Sequence, residues 1–268
     1  MSETLASLVV DVTPGPLVRR RLEAARELAE SYRSRLVAVC HAWPRTSLLR
    51  DALDSVGAAT PWRVADLEAA LTMTRSIFDE VLHEGRDAVE WCSAIAEPTT
   101  GMIDHALTAD LVITSAGEDQ AYASVDPADV ALATGTPVLR FGRDAPRATF
   151  ERVVVAWKDG REARRALHEA LPFLARARSV LVVGVGDEVA SGRLEDVSGH
   201  LKLHGVAAGH VHEPGGGGAG TQLLRIAREQ GADLIVAGAY GHSRSRERIL
   251  GGVTRDLMAS EASWLMAH

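Results

Sequence analysis

Aromatic residues make up only 4% of this 268-residue chain, so a packed interior has to be filled mainly by Val, Leu, Ile and Ala. Cysteine is scarcer still. Cys40 and Cys92 both sit in apolar, strand-like segments and could be neighbours, but two cysteines imply no extracellular disulfide framework, and the expectation is reduced thiols in the core. Positive charge is not in excess: the net charge is -7. The compact basic run Arg19-Arg20-Arg21 fans out by roughly 100° per helical residue, which reads as a solvated helix surface and not a DNA-binding face. No apolar run approaches the ~18 residues of a membrane helix, and Met1 to Ala6 has no basic region leading into one. The expectation is a soluble, cytoplasmic protein with no nucleic-acid or membrane partner. The length suits two domains of ordinary size.

What the chain does have is a repeating order of short β-branched runs and amphipathic stretches. In the second half, Arg152 to Trp157 is apolar after its first residue and too short for a helix, as in a parallel strand covered on both faces. After the turn Lys158-Asp159-Gly160, apolar residues recur at three- and four-residue spacings from Ala163 to Leu174, which marks a helix face. Ser179 to Gly186 reads as a second strand. Leu194 to His204 reads as a helix closed by Gly205, and Val206 to His212 as a half-polar strand. A helix through Leu223 and Ala227 stops at Gly231. The buried strand Ala232 to Ala237, a glycine-rich loop, a helix from about Val253 and a last strand at Trp264-Leu265-Met266 complete the half.

The first half follows the same plan, with strands at Leu8–Val12, Arg35–His41, Val89–Ile95, Ala109–Thr114 and Pro137–Phe141. Ala109-Asp110-Leu111-Val112-Ile113 matches Ala232-Asp233-Leu234-Ile235-Val236, which reads as duplication of a whole domain. The polar linker Arg143 to Glu151 divides residues 1–146 from 147–268. Alternating strands and helices predict two tandem doubly wound, flavodoxin-like α/β domains, each with a five-stranded, mainly parallel sheet.

The segment richest in chemistry runs from Gly238 to Thr254. It follows a buried strand and precedes a helix, the place where open α/β sheets bind ligands. Glycines let backbone amides approach phosphate oxygens, and the helix starting near Val253 adds its first amides. His242, Arg244 and Arg246 supply charge or hydrogen bonds. Gly238, Gly241 and Gly251 carry the spacing glycine, two residues, glycine, nine residues, glycine. In this the segment resembles the signature of the universal stress protein family.

That resemblance implies an adenine nucleotide, ATP or a relative, with or without magnesium, on Gly238, Gly241, His242, Arg244, Gly251, Gly252, Val253 and Thr254. The nucleotide-binding branch has Ser or Thr after the last glycine, where Gly252 stands. The family's adenine-side Asp falls at Lys158, with Asp159 next to it. Gly184 and Val185 fall where the family contacts the base through its backbone. In the first half Ser115 and Glu118 stand in place of Gly238 and Gly241, Asp11 falls near the family's first-strand Asp, and Asp119, Asp126 and Asp129 put negative charge where phosphate would sit. The first domain therefore reads as degenerate and structural. The resemblance also implies pairing of the last strands, Pro137–Phe141 with Ser263–Ala267, as an internal pseudo-dimer, and a further homodimer.

Other candidates are weaker. His200 and His204 stand four apart on a predicted helix, a spacing zinc sites use, and His210 and His212 alternate on a strand. A helix C-terminus favours histidine without any metal, and Gly205 separates the pairs, so no metal site is expected. Gly215 to Gly218 lacks the Lys and Ser/Thr of a P-loop. Trp157 ends a strand, either to stack on a base or to pack. No Gly-x-Ser-x-Gly elbow, pyrophosphatase Ser-Gly-Gly-x-Asp-Ser loop or nucleotidyl-transferase His-x-Gly-His is present, so no catalytic residues are expected and at most slow hydrolysis. The reading is a stress-response regulatory protein that binds an adenine nucleotide in its C-terminal domain. The alternative is a non-nucleotide adaptor that acts through an unidentified protein partner.

Overall fold

The computed structural model describes residues 5–45, 64–82, 89–116, 121–143, 148–187, 189–239 and 252–268. They fall into two compact units, Leu5–Thr136 and Pro137–His268. Both are α/β.

In the first unit the order is β1 (Ser7–Asp11), α1 (Val18–Tyr32), β2 (Arg35–His41), α2 (Val64–Val81), β3 (Val89–Ala94), α3 (Pro98–Ala106), β4 (Leu111–Ser115) and α4 (Pro127–Thr134). The strands lie side by side as β3-β2-β1-β4, all parallel. In the second unit the order is β5 (Val138–Phe141), β6 (Arg152–Trp157), α5 (Arg161–Glu169), α6 (Leu171–Leu174), β7 (Ser179–Val185), α7 (Ser191–Leu203), β8 (Ala208–Glu213), α8 (Ala219–Glu229), β9 (Leu234–Gly238), α9 (Gly252–Met258) and β10 (Trp264–Ala267). Its strands run β8-β7-β6-β9-β10-β5, parallel except for β5.

The apolar runs explain the central strands. Leu8, Val9 and Val10 of β1 and Leu234, Ile235 and Val236 of β9 are almost wholly buried, each side chain contributing roughly 1.5–3 kcal/mol relative to exposure. The repeated Ala-Asp-Leu motif has a structural cause. Asp110 Oδ2 accepts the amides of Ala6 and Ser7 at 2.7 and 2.9 Å, and so fixes the start of β1. Asp233 accepts those of Glu151 and Arg152 at 2.8 and 3.0 Å at the start of β6.

The last strands meet as expected: Trp264 pairs with Arg140, Leu265 with Leu139 and Met266 with Val138, antiparallel. Both strands lie in the second compact unit. Arg140 crosses the fully buried Trp264, its guanidinium 5.5 Å from the ring centre, and donates to Ser260 O at 3.0 Å.

Two differences from the periodicity reading have local causes. The stripe from Ala163 to Leu174 predicts one helix, yet the chain breaks at Ala170 into α5 and α6. Pro172, with no N–H, ends the ladder and starts the next turn. Helix α4 was not expected from periodicity. Its signals are Asp126 as N-cap, Pro127 at the first turn and Gly135 in the left-handed conformation (φ 72°) after its end. Cys40 and Cys92 are both free thiols. Cys92 pairs in register with Val39 and Cys40 with Ser93, so the cysteine side chains face opposite sides of the sheet.

Candidate functional site

β6 and β9 are neighbours, with Val153, Val154 and Val155 beside Leu234, Ile235 and Val236. From β6 the chain turns toward β7, and from β9 toward β10. The chain therefore diverges at the carboxyl ends of these two strands, which is where a doubly wound sheet opens a crevice. A cleft of ≈ 320 Å³ lies there, lined by Ala156, Trp157, Ala163, Val183, Val185, Ala219, Leu223 and Ala237, with polar groups from the β6–α5 turn and the start of α9. Its lining is mostly apolar, with a few polar groups, as in small-molecule sites generally.

Of the residues expected from sequence, Lys158, Asp159, Val185, Gly238, Gly252, Val253 and Thr254 line this cleft together. Gly184 does not. On β7 it alternates with Val183 and Val185, and a Cβ added to it would meet Val189 Cγ1 at 2.9 Å and Leu194 at 3.1 Å. Its smallness serves the packing of α7. Gly241, His242, Arg244 and Gly251 lie outside the described residues.

The two described loop glycines differ in kind. A Cβ on Gly238 would fall 2.6 Å from Ala163 N and Glu162 C, so this glycine is required where β9 meets the first turn of α5. A Cβ on Gly252 would meet nothing within 4 Å. Asp159 is held on both oxygens. Trp157 Nε1 donates to Oδ1 at 2.9 Å, and Arg193 of α7 pairs with Oδ2 at 3.2 Å. Thr254 is buried at 2% exposure against the cleft floor.

Sequence reasoning missed Glu162. Its carboxylate is only 14% exposed, lines the cleft and pairs with Arg161 Nε at 2.7 Å. Burial raises its pKa, but the Arg161 contacts and its own backbone amide outweigh this and hold it below the usual carboxylate value. Its signal was an acid in the first turn of a helix opened by Gly160, a position favoured by the helix dipole. Trp157, weighed as base-stacking or packing, is half-buried at the cleft wall.

The first unit has a cleft at the corresponding place, beyond the ends of β1 and β4, of only ≈ 40 Å³. Arg21, reaching from α1, fills it. Its guanidinium pairs with Asp11 Oδ2 at 3.1 Å and donates to Ser115 Oγ and Thr13 O, each at 3.1 Å. Asp126 Oδ1 accepts the amides of Ala128 and Asp129 at 2.9 and 3.1 Å, so the start of α4 is already occupied by a carboxylate. Asp119 and Glu118 lie outside the described residues. Strand register sets Asp11 level with Ala156, two residues before the place of Lys158.

This strand order, with a cleft at its switch point, defines a doubly wound α/β fold. Within it, the architecture is that of the universal stress proteins. The chain superposes on a universal stress protein from Archaeoglobus fulgidus with a TM-score of 0.74 at 13% identity, covering 99% of this chain and 97% of that one. It also superposes on two proteins from Pseudomonas aeruginosa, each with a TM-score of 0.61. One, from strain UCBPP-PA14, is provisionally assigned to the same family (16% identity; 98% and 93% covered). The other, from strain PAO1, is of unknown function (17%; 98% and 92%). No protein-family model and no curated protein sequence matches the chain. Among the described residues no helix is long and apolar enough to cross a membrane.

Proposed function

We propose that the protein is a stress-response regulator that binds an adenine nucleotide in the cleft of its second unit. The observation that carries this is the contrast between the two switch points: the second is open and apolar-walled, with Trp157 at its rim, and the first is filled. The base lies between the β6–α5 turn and Val185. The phosphates extend toward Gly252 and the loop that carries Gly241, His242, Arg244 and Gly251. Magnesium accompanies a triphosphate. No described residue is assigned a catalytic role. A cytoplasmic setting and a homodimer belong to the same proposal.

A second reading is favoured by Glu162 and Asp159, two carboxylates lining the same cleft. They oppose a polyphosphate electrostatically. In that reading the loop is kept for folding, and the protein is an adaptor that acts through a protein partner.

Calorimetric titration with ATP and magnesium separates the two. Ala219 is exposed at the mouth of the cleft, so Ala219→Trp blocks it without disturbing the core. Gly252→Ser has open space for its side chain and adds a hydroxyl donor for phosphate. The first reading expects one site per chain, lost in Ala219→Trp and about ten-fold tighter in Gly252→Ser. No binding at millimolar ATP to either the wild type or Gly252→Ser sinks it and leaves the adaptor.

A further inference from the structure

A second hollow lies beside the cleft, a groove of ≈ 440 Å³ between α5 and α7. Helical spacing brings one face of each helix to it. α5 presents Arg164, Leu167 and His168, and α7 presents Asp196, Val197 and His200, residues three and four apart in each helix. Leu167 and Val197 are buried and give the groove an apolar floor, and Trp157 is shared between groove and cleft. We propose that this groove is a second ligand site, for a small organic phosphate. Arg164, His168 and His200 hold the phosphate, and the apolar body lies along Leu167 and Val197.

The charges carry the argument. The ring centres of His168 and His200 stand 5.4 Å apart, and with N–H···O bonds of about 2.9 Å on each side two such rings share one oxyanion. Arg164, one turn before His168, adds a fork of donors that matches phosphate oxygens. The side chains of Arg164, His168 and His200 make no hydrogen bond or ion pair to another described residue, so no partner has to be displaced. The carboxylates of the groove are already engaged. Arg193 pairs with Asp159 at 3.2 Å and with Asp196 at 3.1 Å, and Trp157 Nε1 donates to the other oxygen of Asp159. The charges of Asp159 and Asp196 balance those of Arg164 and Arg193, so the histidines set the net charge of the groove.

That balance makes the site conditional on pH. Burial holds the His168 pKa below the usual histidine value, and Arg164, His200 and His204 lower it further. The ring of His204, at the C-terminal cap of α7, stands 5.8 Å from that of His168 and 4.9 Å from that of His200. Cations this close repel one another as they form, and a phosphate held among them relieves the repulsion. Binding therefore takes up protons. It tightens as the pH falls from about 8 through the ordinary histidine value of about 6.5, until the phosphate takes on its own second proton near about pH 6.

The test is calorimetric titration of the full chain with phenyl phosphate at about pH 6.5 and about pH 8, in buffers of different ionisation heat to count protons. Ala219→Trp, which blocks the neighbouring cleft, is titrated in parallel. One site is expected, at least about five-fold tighter at the lower pH, with proton uptake, and unchanged in Ala219→Trp. Inorganic phosphate, with no apolar body, should bind more weakly. Arg164 is exposed and His168 half-buried, and Arg164→Ala and His168→Ala should each weaken binding by about ten-fold. His210→Ala, outside the groove, should leave it unchanged. Circular dichroism confirms that each variant is folded. No saturable binding at millimolar phenyl phosphate overturns the proposal, as does unchanged affinity in folded Arg164→Ala and His168→Ala proteins. Equal affinity for inorganic phosphate overturns the assignment of an organic ligand. Loss of binding in Ala219→Trp overturns the site, because it puts the probe in the cleft. Failure of ATP to bind the cleft leaves the groove untouched, so the two proposals fail separately.

Discussion

The two switch-point clefts are built on the same strand order and differ in a handful of side chains. Strand register aligns them. Asp11 stands level with Ala156, Ser115 with Gly238, and His41 with Val185. In each case the first unit carries a polar group where the second carries a small or apolar one. Two of them, Asp11 and Ser115, take Arg21 as their partner, and its guanidinium reaches into the space between them. In the second unit Ala156, Gly238 and Val185 at the same places ask for no such plug, and the crevice stays open. The topology provides a cleft twice, and side-chain chemistry decides whether it stays open or closes on itself.

The largest test of this contrast is Arg21→Ala. The Arg21 and Asp11 side chains are 9% and 5% exposed, and removing the guanidinium leaves a buried, unpaired carboxylate. Breaking such a pair costs about 3–5 kcal/mol. Denaturant unfolding of the first unit, followed by hydrogen exchange of β1 and β4 amides, should show that loss. Asp11→Leu combined with Arg21→Met should restore most of it, because replacing both charges by apolar groups leaves none uncompensated. If Arg21→Ala is silent, the plug is not what holds the first cleft shut.

Next comes the position shared by Gly238 and Ser115. Gly238→Ala drives a Cβ against backbone atoms of α5, and overpacking of this kind costs about 1–3 kcal/mol. Ser115→Gly loses only the hydroxyl's bond from Arg21, about 0.5–1.5 kcal/mol. Equal costs would mean that the close approach at Gly238 is relieved by a small shift of the helix. A smaller effect is expected on ligand affinity. Glu162→Gln removes a negative charge from the open cleft and should tighten ATP binding by about three- to ten-fold. Unchanged affinity in calorimetry would place the phosphates away from α5.

The sheet was readable from sequence because parallel strands buried on both faces leave unbroken apolar runs, as in Arg152–Trp157 and Leu234–Gly238. The Ala-Asp-Leu motif was readable as a repeat, though its cause, the capping of the first strand, needs coordinates. That the β6–α5 turn and Gly238 line one cleft was also legible, since turn residues and a glycine at the ends of neighbouring parallel strands fall together. Glu162 was not, because one acid in a helix's first turn looks like ordinary dipole complementation. The Arg21 plug was hidden inside a basic run that reads as solvated surface, and whether one arginine of three turns inward depends on Asp11, ten residues earlier. The rings of His168 and His200, whose centres lie 5.4 Å apart, come from two helices, and no spacing rule connects them.

The last prediction follows from His41 standing where the second unit has Val185. His41 is buried at 7% exposure, and its Nδ1 has no hydrogen-bond partner among the described residues. Gly101 makes room for the ring, since a Cβ there would fall 1.9 Å from it. Burial lowers the His41 pKa, and the neighbouring His105 lowers it further, against the opposing pull of Asp11, Glu97 and Asp104. With the folded pKa below the unfolded value of about 6.5, the unfolded chain binds more protons as the solution is acidified. The stabilisation from keeping His41 neutral is therefore complete above about pH 6.5 and is lost as the pH falls toward the folded pKa. Hydrogen exchange of β2 and α3 amides should thus quicken, after correction for intrinsic rates, when the pH is lowered from neutral into the mildly acid range. His41→Val, which copies the second unit, should flatten that dependence. Should the variant keep the full dependence, the acid sensitivity of the first unit lies with another group, and the exchange of Val185 for His41 is neutral to its stability.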